Sequence, residues 1–110
     1  MFEIFKKNEE QVININEIDN LLGKIELIDI REPYEYNEGS IKTAKNIPMN
    51  TLLNEAEKYL SKEKKYYIVC QSGGRSSRTC SLLRNSGYNV VNVSGGVGSY
   101  VGAKRSLKFT

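Results

Sequence analysis

Residues 66–78 read Tyr66-Tyr67-Ile68-Val69-Cys70-Gln71-Ser72-Gly73-Gly74-Arg75-Ser76-Ser77-Arg78. The apolar first half is typical of a buried strand, and this strand ends at Cys70. Two glycines follow, and because glycine lacks a Cβ they can take positive φ and turn successive N–H groups inward. A helix start after the turn adds a partial positive charge on the same side. The stretch therefore predicts an anion site that favours the thiolate of Cys70.

Cys70 is for this reason a candidate nucleophile. A free thiol has a pKa of about 8.5, and a helix N-terminus or a neighbouring guanidinium can lower it by one or more units. Arg75 offers such a guanidinium, and its planar fork suits an oxyanion such as a sulfonate or a phosphate. The alternative is that Cys70 only packs at the end of a core strand, as most free cysteines do.

The loop from Cys70 to Ser76 resembles the active-site loop of single-domain rhodaneses, the thiosulfate sulfurtransferase-like proteins in which the cysteine carries a persulfide sulfur. Three more stretches agree with this resemblance and come in the family's order. They are Leu27-Ile28-Asp29-Ile30-Arg31-Glu32-Pro33-Tyr34-Glu35-Tyr36, similar to the family's Asp-x-Arg segment, Gly39-Ser40-Ile41 through Ala44-Lys45-Asn46-Ile47-Pro48, similar to its GHIPGAxNIP segment, and Val93-Ser94-Gly95-Gly96-Val97, similar to its closing glycine pair.

The sequence departs from the family pattern in the second segment. Ser40 stands where the family has histidine, and Lys42 and Thr43 replace its proline and glycine. The whole chain has no histidine, so the loop amides and Arg75 would have to favour the thiolate without an imidazole base. Tyr100 is expected to take the place of the family's tryptophan after the glycine pair.

The fold predicted from strand and helix alternation is α/β, with a parallel sheet and helices on both faces. The resemblance implies the rhodanese-like form of this fold, a three-layer α/β/α arrangement with a central mostly parallel sheet. We expect a single domain over residues 1–110, with its core at about 12–103. Since ligands bind beyond the carboxyl ends of parallel strands, the Cys70 loop, the Asp29-Ile30-Arg31 turn and the Ser94-Gly95-Gly96 turn should share one edge.

Hydrophobic spacing and breakers predict the individual elements. Strands are expected at 12–15, 25–30, 46–47, 66–70 and 89–93. Helices are expected at 17–22 with Asn16 as N-cap, at 51–60 with Asn50 as N-cap, at 75–86, and in a short last segment with Val97, Tyr100 and Val101. In the 51–60 helix the residues expected to face the sheet are Leu52, Leu53, Ala56, Tyr59 and Leu60.

Residues 31–40 are predicted to form a polar loop because Pro33 ends the preceding strand. The loop carries three acidic residues that are expected to be solvated charges: Glu32, Glu35 and Glu38. Its tyrosines, Tyr34 and Tyr36, either border the site or pack beneath the loop.

The resemblance implies sulfur transfer, with Cys70 as the sulfur acceptor. The N–H groups expected to hold the persulfide are those of Gln71, Ser72, Gly73, Gly74, Arg75 and Ser76, and Arg75 is also expected to bind the sulfonate end of a donor. Asp29 and Arg31 are expected to support the loop through charge-assisted hydrogen bonds. Cys80 shares a helix face with Thr79 and Leu83 and is interpreted as core packing, the alternative being a resolving thiol.

Composition limits the other possibilities. With 39% hydrophobic and 26% charged residues, and no apolar run near the roughly 20 residues of a membrane span, the chain is typical of soluble globular proteins. Residues 1–7 do not read as a signal peptide, and two cysteines suit a reducing compartment, so we expect a cytoplasmic protein. Its net charge of +3 comes with scattered lysines and indicates no nucleic-acid or membrane partner.

The expected partners are a small-molecule sulfur donor, thiosulfate or a persulfide, and a thiol or protein acceptor, with no metal or organic cofactor. Two alternatives stay open. Cysteine phosphatases and arsenate reductases also combine a cysteine, an amide loop and an arginine, although phosphatase loops have five residues between cysteine and arginine and this chain has four, Gln71 to Gly74. The second alternative is a non-catalytic binding module on the same fold.

Overall fold

The computed structural model of the protein describes residues 11–104. Residues 1–10 and 105–110, which include the segment predicted not to be a signal peptide, lie outside the described residues. The described strands are β1 (Val12–Asn14), β2 (Glu26–Asp29), β3 (Lys45–Asn46), β4 (Lys65–Val69) and β5 (Asn89–Ser94). The described helices are α1 (Pro33–Glu38), α2 (Met49–Asn54), α3 (Ala56–Tyr59), α4 (Gly74–Asn85) and two 3₁₀ helices, Ile15–Leu21 and Val97–Ser99.

The strands form one sheet in the order β1-β5-β4-β2-β3, and every pairing between them is parallel. The central strand, β4, is buried on both faces from Tyr66 to Val69, which is why its sequence is a continuous apolar run rather than an alternating one. The predicted α/β fold with a mostly parallel sheet is confirmed.

Two apolar clusters lie on opposite faces of the sheet. Because side chains alternate along a strand, Tyr66 and Ile68 point to the cluster that includes residues of α2, α3 and α4. Tyr67 and Val69 point to the other cluster, which includes the first 3₁₀ helix. The three-layer arrangement is therefore confirmed, and Cys70 continues the first of these faces at the end of β4.

The three turns expected at one edge do meet there. Asp29 at the end of β2 pairs with Val69 at the end of β4, and the next N–H, that of Ile30, donates to the Val69 carbonyl at 3.0 Å. The turn after β5 reaches the Cys70 loop through the N–H of Val97, which donates to the Cys70 carbonyl at 2.9 Å. The carboxyl ends of three strands therefore surround Cys70.

The first residue predicted for the helix at 17–22 is wrong. It is a 3₁₀ helix that begins at Ile15 and is capped by Asn14, whose side chain accepts from the Asn16 N–H at 2.9 Å. The Asn14 N–H in turn donates to the Glu17 carboxylate at 3.2 Å, which completes a capping box. Asn16 instead donates from its side chain to the Ser99 carbonyl, so tertiary contact decides between two similar caps.

Residues 31–40 are not a loop throughout, because α1 occupies 33–38. Pro33 stands at the first helical position, where its fixed φ suits a helix and its missing N–H is no loss. Glu32 and Glu35 form a capping box in which the Glu32 N–H donates to Glu35 Oε1 at 2.9 Å. Pro33 thus starts a helix rather than only ending a strand.

The single helix predicted at 51–60 is divided into α2 and α3 by Glu55, which has φ −132° and ψ 41°. Pro48 takes the N-cap position in place of Asn50. Leu52, Ala56 and Leu60 are buried as predicted, whereas Tyr59 is exposed. The break at Glu55 ends the regular spacing that would have placed Tyr59 over the sheet.

The remaining elements agree with their predicted bounds within about two residues, the usual uncertainty of helix and strand ends. Tyr36 packs beneath the loop, where its hydroxyl donates to the Ala44 carbonyl at 2.7 Å, while Tyr34 is exposed. Among the helices within residues 11–104, none is long and apolar enough to cross a membrane.

Candidate active site

The Cys70 thiol lies inside a turn of backbone N–H groups. The Gly73 N–H donates to Cys70 Sγ at 3.1 Å, and the Ser76 N–H donates to it at 3.3 Å. Gly73 makes this possible because it has φ 107°, a left-handed conformation that side chains disfavour. α4 begins directly after it at Gly74, so the positive end of the helix dipole also faces the sulfur.

The pKa of Cys70 lies below that of an ordinary thiol. Burial acts to raise this pKa, since a buried thiolate loses hydration. The hydrogen bond with the Ser76 hydroxyl and those from the N–H groups of Ser76, Gly73 and Ser72 act in the opposite direction and prevail. The loop therefore favours the charged, nucleophilic form of the sulfur.

Ser76 connects the loop to the sheet. Its hydroxyl lies 3.4 Å from Cys70 Sγ, 3.1 Å from the Gly73 carbonyl and 2.5 Å from the Asn92 side-chain oxygen. Asn92 is on β5 and is only 9% exposed. A carboxamide buried to this degree is expected to have a hydrogen-bond partner. The contact with Ser76 supplies that partner.

Asp29 and Arg31 lie behind the loop as a buried ion pair, 0% and 4% exposed. Arg31 donates from Nε to both carboxylate oxygens at 3.1 Å and from Nη2 to Oδ2 at 2.9 Å. Arg31 Nη1 donates to Gln71 Oε1 at 3.0 Å, and Nη2 also donates to the Gly39 carbonyl at 2.8 Å. The pair thus connects the residue next to Cys70 to the end of β2.

Ser40 belongs to the same buried network. Its hydroxyl donates to Asp29 Oδ2 at 2.6 Å, and the residue is fully buried. At the position where the resemblance predicts histidine, this chain therefore has a neutral donor to the Asp29 carboxylate.

The glycine pair after β5 packs against the loop from the other side. Gly96 has φ 69°, and a Cβ there would lie 2.4 Å from the Gln71 carbonyl oxygen and 2.6 Å from that of Cys70. The Gly98 N–H donates to the Gln71 carbonyl at 2.9 Å. Such close backbone contact requires glycine at position 96. Tyr100 is buried nearby, and its hydroxyl donates to Asp19.

Arg75 does not point to open solvent. Its Nη1 and Nη2 donate to Oε1 and Oε2 of Glu35 at 3.0 and 3.1 Å, a two-pronged pair between α4 and α1. The expectation that Glu35 is a solvated loop charge is wrong, because its side chain is only 19% exposed. The Arg75 hydrogen bonds lower the pKa of Glu35, so its carboxylate is ionised at neutral pH.

The other loop residues differ in exposure. Gln71, Ser72 and Gly74 are exposed, whereas Ser76 is buried against β5. Cys80 lies on the buried side of α4 and belongs to the core cluster there. Burial raises its pKa to about 12. This placement supports the interpretation of Cys80 as core packing, since an un-ionised thiol is a poor nucleophile.

Two residues that bear on the site were not among the predicted site residues: Glu35 and Asn92. The polar Asn92 stands between the apolar Val91 and Val93 in the predicted strand, and this was a usable signal, since buried amides require partners. Nothing local distinguishes Glu35 from its acidic neighbours Glu32 and Glu38, because its partner is 40 residues away.

A comparison with known protein families assigns the chain to one of them. The family model for the rhodanese-like domain matches residues 14–103. The chain belongs to the rhodanese-like domain family. The predicted membership is confirmed, and the Cys70 loop of this rhodanese domain lies within the matched region.

Relatives of this rhodanese domain include sulfurtransferases. It is 41% identical over 76 residues to YtwF of Bacillus subtilis, a protein named as a proposed sulfurtransferase. The matched region covers 69% of this chain and 73% of that protein. It is 38% identical over 72 residues to a sulfurtransferase of Allochromatium vinosum, covering 64% of this chain and 66% of the other. Its fold superposes on the crystal structure of a rhodanese-like domain protein from Staphylococcus aureus with TM-score 0.75 and 32% identity, covering 87% and 97% of the two chains.

Proposed function

We propose that this rhodanese domain carries sulfane sulfur on Cys70 as a persulfide and transfers it to a thiophilic acceptor. The Cys70 thiolate attacks the outer sulfur of thiosulfate or of a persulfide donor. The bond between the donor's two sulfurs breaks, and sulfite or a thiolate leaves with the electron pair. An acceptor such as a thiol or cyanide then removes the outer sulfur and restores the thiolate.

The observation that carries this proposal is the pair of N–H donors on Cys70 Sγ, from Gly73 at 3.1 Å and Ser76 at 3.3 Å. Donors aimed at a sulfur stabilise negative charge on it both before attack and in the anionic persulfide. The family membership supports the same reaction class.

The proposed roles of the remaining residues follow from their positions. The N–H groups from Gln71 to Ser76 surround the transferred sulfur, and Arg75 borders the outer end of a bound donor. Asp29 and Arg31 are proposed to position the loop rather than to react, because Arg31 contacts Gln71 and not Cys70. No metal or organic cofactor enters this reaction.

The proposed partners are a small sulfur donor and a thiol or protein acceptor. We propose one catalytic domain with a core at about residues 12–103, acting in a reducing compartment such as the cytoplasm. Both cysteines are free thiols, which suits that compartment.

The test is the mass of the intact protein after incubation with a panel of sulfur donors. We expect the addition of one sulfur atom that is removed by cyanide or by excess thiol. Cys70→Ser should abolish the addition, whereas the matched variant Cys80→Ser should retain it. An unchanged mass with every donor in excess would contradict the proposal, and Cys70-dependent release of phosphate from an aryl phosphate would favour the phosphatase alternative.

A further inference from the structure

The arginine at the end of the loop has a carboxylate of its own. Arg75 donates through both terminal nitrogens to both oxygens of Glu35, at 3.0 and 3.1 Å. Glu35 is held in place from behind, because its Oε1 also accepts from the Glu32 N–H at 2.9 Å. The pair is therefore fixed by α1 as well as by the loop.

The pairing of Arg75 with Glu35 reduces the positive charge that a bound sulfur donor would encounter. A guanidinium attracts an oxyanion, but a carboxylate at hydrogen-bond distance cancels most of that attraction. The second guanidinium beside the loop, that of Arg31, is buried and faces the Asp29 carboxylate. Neither arginine offers an uncompensated positive charge, and the chain has no histidine to supply one.

Sulfur donors differ in charge, and therefore in how strongly the pairing of Arg75 with Glu35 affects their reaction. Thiosulfate brings two negative charges to a thiolate that already carries one, and its leaving group, sulfite, keeps both. An alkyl persulfide brings at most one, because only its terminal S–H ionises, and the thiolate that leaves carries one. A site with compensated arginines opposes the first donor more than the second.

We propose that Glu35 selects the sulfur donor by charge, neutralising Arg75 so that a persulfide is used in preference to thiosulfate. This inference rests on the proposed function. The transfer itself balances: the Cys70 thiolate and R–S–SH give the Cys70 persulfide and R–S⁻, the new S–S bond replaces the old one, and no external oxidant or reductant is required.

The central experiment compares Glu35→Gln with the wild type. Glutamine keeps an oxygen for the Glu32 N–H and for Arg75 but removes the negative charge. We measure the second-order rate of Cys70 persulfidation, by intact mass, with thiosulfate and with the persulfide of 2-mercaptoethanol, whose alkyl group carries no charge. The expected result is about a tenfold gain with thiosulfate, which corresponds to about 1.4 kcal/mol, and a smaller gain, about threefold or less, with the less charged alkyl persulfide.

Two controls separate this effect from a general change of charge or packing. Glu57→Gln, at an exposed position on α3, alters the net charge equally and should leave both rates unchanged. Adding Arg75→Gln to Glu35→Gln should remove the gain with thiosulfate, since the two residues form one interaction. A gain that persists without Arg75 would overturn the inference.

The wild type alone provides a second measurement that does not depend on any variant. Because Arg31 and Arg75 are each paired with a carboxylate, the rate with thiosulfate should fall by less than about twofold as ionic strength rises from about 0.01 M to about 1 M. A severalfold fall would show attraction of the dianion and would overturn the inference, as would equal thiosulfate rates in Glu35→Gln and wild type. Failure of the wild type to accept sulfur from either donor would instead overturn the proposed function.

Discussion

The Asn92 side chain of β5 lies 2.5 Å from the hydroxyl of Ser76 on α4, and that hydroxyl is in turn 3.4 Å from Cys70 Sγ. The contact joins β5 of the buried sheet to the first turn of α4. It holds Ser76 in the position from which its N–H donates to the sulfur at 3.3 Å. The sheet thus helps to determine where the loop places its donors.

Ser76→Ala should raise the pKa of Cys70. The hydrogen bond with the Ser76 hydroxyl is the largest of the contributions that lower this pKa, so its loss leaves the effect of burial, which raises the pKa, less opposed. The measurement is the rate of iodoacetamide alkylation as a function of pH. Ser77→Ala, an exposed neighbour, should leave the profile unchanged, and a profile that moves to lower pH in Ser76→Ala would contradict the expectation.

Cys70 should be alkylated alone in the native protein at neutral pH. The loop lowers the pKa of Cys70, whereas burial raises that of Cys80 to about 12, so only Cys70 has an appreciable thiolate fraction. Peptide mapping after brief treatment should find label on Cys70 and none on Cys80. Both should be labelled in urea, and native labelling of Cys80 at a similar rate would contradict the buried placement.

Arg31→Ala should destabilise the fold by about 3–5 kcal/mol, because it leaves the carboxylate of Asp29 buried without its counter-ion. Urea unfolding followed by circular dichroism measures this loss. Lys58→Ala removes an exposed pair with Glu55 and serves as the control, with an expected change below about 1 kcal/mol. A loss of similar size in both variants would refute the role of the buried pair.

Gly96→Ala should displace the Cys70 loop. The new Cβ would stand 2.4 Å from the Gln71 carbonyl oxygen at a φ of 69°, so the backbone must move at a cost of about 1–3 kcal/mol. We expect lower stability together with a large fall in the persulfidation rate of Cys70. Gly74→Ala has open space around its Cβ and is the stability control, which should unfold at an equal or higher urea concentration.

Glu35 should make stability depend on acid pH. Its folded pKa lies below the usual 4.5, so the ionised carboxylate stabilises the fold above that value and the contribution is lost as pH falls through the folded pKa. Arg75 is 39% exposed and solvent screens the pair, which limits the contribution to about 0.2–1 kcal/mol. The free energy of unfolding at pH 7 minus that at about pH 3 should be smaller in Glu35→Gln than in the wild type. An equal difference would exclude a stabilising pair.

Several predictions made from local pattern failed for one physical reason. Asn14 and Asn16 are both good helix caps, Pro33 can end a strand or start a helix, and residues 51–60 have continuous helical spacing that breaks at Glu55. In each case neighbouring residues permit two structures of similar free energy. For the two asparagines, the contact of Asn16 with the distant Ser99 leaves Asn14 as the cap.

Strong local signals alone were enough for the strand, the glycine turn and the helix around Cys70, and for the parallel sheet, because apolar runs and glycines constrain backbone conformation directly. The charge state of the site required the folded molecule. Glu35 meets Arg75 across 40 residues and Asn92 meets Ser76 across 16, contacts that no periodicity encodes. Hydrogen bonds and ion pairs act over a few ångströms in space, so chain topology decides which charges an incoming sulfur donor encounters.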